Sequence, residues 1–449
     1  VNPPASLPLP PMLPGLPLVG NAIDFRRDAL GLFRKGYQRF GPVFGIRLAR
    51  NPAVVLVGPD LLRLFFESTD TLLSMGEIYS FLEPILGDKV LFTAPKREYD
   101  EQKRVMLPAF HGKKLRSYVG EMTAEVDEWL HTLGPHGTFD LCEVSQQLTM
   151  NVVARAILGE PFRRRLGPEL ASLFKDLAGG LEFVLPTNLP LPRFIRRDRA
   201  LRKLREILGA VVRERRANPD AHDDFLQALL AASYLDQPTI PDEKVVTFVL
   251  GLIFGGRENT SGHLEWALVM LLQHPDALAR AVAEVDGVFG PDERPDYDSL
   301  RSLPWLEACV KEAERLRPVT HTLLRLAAQD FTAGDYHVPK GWLVVAGIAL
   351  SQRLPALFRD PERYDPERFS PERDEDKPYH IVGFGGGGHR CWAAAFVNNE
   401  MKIMLGMLLR RYELSLVDPA APAKLNDIGV LRPAPPCMVR YRRRAAVVA

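Results

Sequence analysis

Cysteine is scarce in this chain: four in 449 residues, Cys142, Cys309, Cys391 and Cys437, all far apart. So sparse a set argues against a disulfide framework and fits a reducing compartment, where a single cysteine is either core filler or chemistry. Long apolar runs are also missing. The longest, Phe248 to Gly256, is about half of the roughly 20 residues that span a bilayer. The first residues lack the charged, apolar and small-residue sections of a signal peptide. A cytoplasmic location is therefore expected, with an anchor removed ahead of Val1 as the alternative. Neither sign of charge prevails: 57 Lys+Arg stand against 56 Asp+Glu, which leaves +1 and no electrostatic footprint for nucleic acid. The dense basic cluster Arg440, Arg442, Arg443 and Arg444 reads as a solvated tail. There is no internal repeat and no low-complexity linker. One large domain over 24–449, behind a Pro-rich extension at 1–23, is the expected organisation.

What is present is a mainly helical pattern with a minor β portion. Seven of the first seventeen residues are proline, so the extension runs extended rather than helical. Leu30, Leu32, Phe33 and Tyr37 give Asp24–Phe40 a helical period, and Val43–Val57 reads as a hairpin broken at Asn51-Pro52. Mostly helical pattern follows, with linkers at Gly134–Gly137, Pro186–Pro192 and Asn218–Asp220. Strand signals return at Leu323–Ala327 and Trp342–Ala346, and a last helix spans about Ala393 to Tyr412.

The sharpest local signal is Phe384-Gly385-Gly386-Gly387-Gly388-His389-Arg390-Cys391, with a helix next. Four glycines let backbone lie against a flat, bulky group without Cβ clashes. A cysteine at the head of a helix is stabilised as thiolate by free N–H groups and the dipole. Such a thiolate suits axial ligation of a haem iron; the plainer alternative is a glycine loop beside a buried cysteine. A zinc site would need a second cysteine pair nearby. Two further groupings stand upstream: Glu312 and Arg315 share a helix face, and Phe358-Arg359-Asp360-Pro361 leads through Tyr364 to Pro366-Glu367-Arg368-Phe369. The apolar stretch Val245–Gln273 is interrupted at its centre by Arg257-Glu258-Asn259-Thr260. Buried polar groups in mid-helix need partners, and such a patch suggests water or proton handling.

The order E-x-x-R, then F-x-x-P-x-x-[FY]-x-P-x-R-F, then F-x-x-G-x-x-x-C resembles the cytochrome P450 superfamily, over about Pro14 to Arg444. The resemblance implies one large P450 fold, with haem b between the long central helix and the Cys-loop helix. It makes Cys391 the axial ligand of the iron, with Phe384 and Gly385 against the macrocycle. Glu312, Arg315 and Arg368 become a buried charge triad. Gly255-Gly256-Arg257-Glu258-Asn259-Thr260 matches the oxygen-activation stretch, with Glu258 on the acid position and Asn259 where the family has Thr. Thr260 supplies that hydroxyl only if the register slips by one. Lys103, Arg325, His389 and Tyr79 are candidates for the haem propionates by the same likeness.

Tyr79-Ser80-Phe81-Leu82 followed by Gly87-Asp88-Lys89-Val90-Leu91-Phe92 looks like the substrate signature of sterol 14α-demethylases. Phe81, Leu82, Leu86, Phe254 and Gly255 then line a substrate pocket. The likeness breaks where those enzymes carry G-x-H-T-S. The expectation is a haem-thiolate monooxygenase of a bulky hydrophobic substrate, sterol, steroid or terpenoid. The alternative is a peroxide-dependent or rearranging haem enzyme acting on a fatty or terpenoid substrate. No flavin or ferredoxin domain lies within these residues, so a separate ferredoxin or flavoprotein reductase is the expected electron donor. Lys103, Arg104, Lys113, Lys114 and Arg390 are candidates for its docking face, and a monomer is expected.

Overall fold

The computed structural model describes residues 7–87, 89–181, 189–219, 224–290, 294–373, 375–425 and 429–445. The expected linkers at Pro186–Pro192 and Asn218–Asp220 lie partly outside these residues, as does Asp88. The fold is mainly helical with a minor β portion. Its backbone gathers into two compact units, residues 1–80 with 314–391 and residues 81–313 with 392–449.

The first unit is built on a five-stranded sheet. Val43–Leu48 and Asn51–Leu56 form an antiparallel hairpin, Leu343–Ala346 runs parallel to Asn51–Leu56, and Leu323–Ala327 and Leu73–Ser74 complete the order. The unbroken apolar run Ala53–Val57 follows from burial on both faces. Val54 and Leu56 face Phe65, Phe66 and Ile348, while Ala53 and Val55 face Leu32 and Phe33 of the helix Ala22–Phe40. The hairpin turn falls at Ala49-Arg50, ahead of the expected Asn51-Pro52. Ala49 takes φ +54° there, and Asn51 already pairs with Leu48. The Pro-rich segment is extended and held on the sheet's edge: the Leu13 amide donates to the Gly45 carbonyl at 2.8 Å, and the Gly45 amide to that of Pro11 at 2.9 Å. It thereby covers an edge that would otherwise present unpaired backbone.

The second unit is a helical body around the central helix Asp242–Gln273. Asp242 and Glu243 stand in its first turn, where negative charge complements the helix dipole. Gly256 lets it approach the helix Leu141–Leu158, since a Cβ there would lie 2.9 Å from Val153. The stretch Gly134–Gly137, read as linker, runs into a strand, His136–Asp140. That strand pairs with Met438–Arg443, which pairs in turn with Tyr412–Leu416. The basic cluster belongs to a strand rather than a tail, with Arg440, Arg442 and Arg443 solvent-exposed as expected. Arg440, Arg442 and Arg443 sit in the middle strand of a sheet, and Arg444 is bound to Asp286 at 2.6 Å. No helix among the described residues is long and apolar enough to cross a membrane.

Candidate functional site

In the first unit the glycine run folds into a tight loop. Gly385 and Gly387 take φ of +71° and +59°, and a Cβ on Gly387 would lie 2.5 Å from the Phe66 carbonyl oxygen. The Cys391 amide closes the loop by donating to the Phe384 carbonyl at 2.9 Å. The next helix begins at Ala394, so Cys391 stands just ahead of it rather than on its first turn. Cys391 is exposed, whereas Cys142, Cys309 and Cys437 are buried. Burial pushes the Cys142 thiol above its ordinary range and that of Cys437 up to about 11. Cys142 and Cys437 are thereby disfavoured as thiolates, and Cys391 is the exposed thiol.

Beside this loop the unit gathers three of the expected propionate residues. His389 Nε2 lies 2.6 Å from Asp70 Oδ2, and the Arg325 Nε donates to the neighbouring Thr69 Oγ1 at 3.3 Å. The Arg325 guanidinium also lies 5.8 Å from the centre of the Tyr79 ring. Thr69 and Asp70, which the sequence reading did not single out, thus join Arg325 to His389. Arg315 and Arg368 are fully buried in the same unit. Arg315 donates to the carbonyls of Gln352 and Pro361 at 2.8 and 2.7 Å. Arg368 donates to the Arg359 carbonyl at 2.8 Å and to Glu375 at 2.7 Å. Both reach the Arg363 carbonyl, at 3.1 Å each, so the two guanidinium groups pin one loop. Glu312, on the helix Pro304–Leu316, is also fully buried.

The second unit carries the remaining candidates. The central helix runs unbroken through 255–260. Gly255 and Asn259 are exposed on one face, one turn apart, while Glu258 and Thr260 are buried. Phe254 is half-buried. Ser80–Leu82, Glu83–Leu86 and Leu91–Thr93 form short helical pieces. A Cβ on Gly251 would lie 3.2 Å from Leu91 and 3.6 Å from Leu86, so these pieces pack on the central helix one turn ahead of Gly255. Leu82 is buried and Phe81 half-buried. Lys103 stands on the helix Lys96–Met106 of this unit, where its neighbour Tyr99 accepts from the Trp392 indole at 3.2 Å.

The buried polar centre of the helix has its partners. Arg257 donates to Glu258 and to Gln146. Arg432 lies 3.7 Å from Glu258 and donates through Nε to Glu265 at 3.0 Å. Ser145 donates to Glu265 as well. Burial pushes the Glu265 carboxyl up to about 7, against the pull of Arg432. The sequence reading found Glu258 but missed Arg432, Gln146 and Glu265. A signal existed for Glu265 alone, which follows Glu258 by two helical turns on the same face.

The fold and these residues define a haem-thiolate oxidoreductase. The chain belongs to the cytochrome P450 family: the model named Cytochrome P450 matches residues 10–441. It is a cytochrome P450 monooxygenase, and membership implies haem with a cysteine thiolate ligand. Obtusifoliol 14-alpha demethylase of Triticum aestivum is 33% identical, with 98% of this chain and 99% of that relative covered. Lanosterol 14-alpha demethylase of Bos taurus is 30% identical, with 96% and 87% covered. Sterol 14alpha-demethylase of Mycobacterium tuberculosis is 31% identical, with 95% and 96% covered. The solved structure of retinoic acid bound cyanobacterial CYP120A1 matches with a TM-score of 0.87 at 27% identity, covering 98% of this chain and all of that one.

Proposed function

We propose that this P450 oxidises a bulky apolar substrate of the sterol, steroid or terpenoid class, drawing electrons from a separate ferredoxin or flavoprotein reductase. The observation that carries the substrate reading is the packing of Leu86 and Leu91 on the central helix at Gly251, one turn from the exposed Gly255–Asn259 face. The segment that resembles the demethylase signature and the polar break of the helix thus border one wall. Phe81, Leu82, Leu86 and Phe254 make that wall apolar, which binds a greasy substrate and excludes water. The relatives named as sterol 14-demethylases, at 30–33% identity over most of the chain, support the same class.

Haem, when bound, supplies the oxygen-activating redox chemistry, and a thiolate ligand favours O–O cleavage. Cys391 would provide that thiolate from a loop whose Gly386 and Gly387 pack closely on Phe66 and Tyr379, with Phe384 and Gly385 beside the macrocycle. Arg325, His389 and Tyr79 would hold the cofactor's carboxylates, a role the family resemblance also gives Lys103. The Asn259 amide offers a hydrogen-bond donor and an acceptor on the exposed helix face. Glu258, held between Arg257 and Arg432, stands as the acid of the oxygen-activation stretch. Glu312, Arg315 and Arg368 fix the scaffold.

Titration of the ferric holoenzyme with a 14α-methyl sterol, followed at the Soret band, tests the class. A low-to-high-spin shift at micromolar sterol is expected. The absence of any shift with sterols, together with one from fatty acids, would overturn it.

A further inference from the structure

A second cavity lies in the 81–313 and 392–449 unit, on a different set of groups from the apolar wall. It measures about 340 Å³. That is more room than a bare ion needs. Five elements converge on it. Gln146 comes from the helix Leu141–Leu158, Lys175 and Asp176 from Glu160–Ala178, and Arg193 and Arg196 from Pro192–Ala217. Arg257 and Glu258 come from the central helix, and Arg432 from the strand Leu431–Pro433. Seven of the ten lining residues are charged, which does not suit a sterol or another wholly apolar molecule.

The balance of charge on this wall is positive. Among the described residues it carries five cationic side chains and two carboxylates, with Glu265 behind Arg432 as a third. Two of the cations are deep: the side chains of Arg257 and Arg432 are 9% and 6% exposed. Arg257 is bound to Glu258, its immediate neighbour on the helix. Its other Nη donates to Gln146, so the guanidinium is shared between two partners of the wall. The second carboxylate of the wall, Asp176, lies at the limit of ion-pair distance from Arg196, 4.0 Å. Guanidinium groups converging from separate elements are the usual means of holding a phosphoryl group by paired hydrogen bonds.

We propose that this cavity binds a small phosphomonoester, its phosphoryl group held by Arg257 and Arg432 at depth and by Lys175 and Arg196 at the rim. The bound phosphoryl group competes with Glu258 for Arg257, so occupancy loosens the hold on the central helix's acid. The site is separate from the residues assigned to haem and substrate, apart from Glu258, and does not depend on which substrate is oxidised.

Isothermal titration calorimetry of the ferric holoenzyme with glycerol 3-phosphate tests this, with inorganic phosphate and chloride at matched ionic strength as comparisons. One saturable site per chain is expected for glycerol 3-phosphate, weaker binding for phosphate, and none for chloride. The exposed rim variants Lys175→Glu and Arg196→Glu leave the buried cluster intact and weaken binding at least tenfold when combined. No saturable heat, or unchanged affinity in the double variant, overturns the site. Binding of inorganic phosphate with glycerol 3-phosphate excluded overturns the ligand class.

Discussion

Glu400 is fully buried on the helix Ala394–Arg411, and neither of its carboxylate oxygens has a hydrogen-bond partner among the described residues. Burial raises its pKa well above the ordinary carboxyl value. An unpartnered charge in that place is far costlier than a neutral acid, so the folded chain keeps the proton. The unfolded chain releases it at about pH 4.3. Between that value and the raised folded pKa the native state binds more protons than the unfolded one, and stability falls as pH rises. The fall is at most about 1.4 kcal/mol per pH unit for a single proton. Glu400→Gln keeps the shape of the neutral acid and removes the titration. Denaturant unfolding at a series of pH values should show the variant equal to the parent near pH 4 and increasingly more stable toward pH 7. A constant difference across that range would mean that Glu400 is ionised in the fold.

Among the elements, the Cys loop depends on its glycines unequally. Gly387 combines φ +59° with a Cβ position 2.5 Å from the Phe66 carbonyl oxygen, a backbone atom that cannot rotate away. At Gly388 the added Cβ meets nothing within 4 Å. Gly387→Ala should therefore cost about 2 kcal/mol or more, from the positive φ and the clash together, and should lower the fraction of chains with thiolate-bound haem. Gly388→Ala should retain it. Equal haem content in the two variants, read from the Soret band of the purified proteins, would place the constraint elsewhere. The run of four glycines made this loop legible in sequence, because two of them, Gly385 and Gly387, take a positive φ that side chains disfavour. The strands Leu323–Ala327 and Leu343–Ala346 were legible because their apolar residues stand in short runs between turns. His136–Asp140 was not. Its Gly, His and Thr carry no strand pattern, and it is a strand through Met438–Arg443, with Gly137 leaving room for the Tyr441 ring. The cluster around Glu258 was half legible for the same reason. The acid shows as a polar break in an apolar helix, but Arg432 stands 167 positions beyond Glu265 and meets it only in the fold.

At the scale of the whole molecule, a net charge of +1 gives no long-range field to guide an electron donor to the chain. Any steering must come from a local patch, felt over the roughly 10 Å that 0.1 M salt allows. Several cations near the start of the helix Gly112–His131 are already compensated. Arg104 is bound to Glu101 at 2.8 Å and Arg116 to Asp298 at 3.3 Å. Lys113 is exposed and Lys114 half-exposed beside them. With the proposed electron donor a separate acidic protein, Lys113 and Lys114 are the exposed and half-exposed lysines it would meet there. Replacing both by Glu changes the local charge by four, enough to slow donor association about tenfold or more at low ionic strength. The loss should shrink steadily as salt is raised and nearly vanish at 1 M, where screening acts within about 3 Å. Stopped-flow reduction of the ferric protein by its donor, across a salt series, reads both effects. A rate unchanged in the double variant at low salt would place the donor on another face. A loss independent of salt would mean that the variant alters packing of the helix rather than steering.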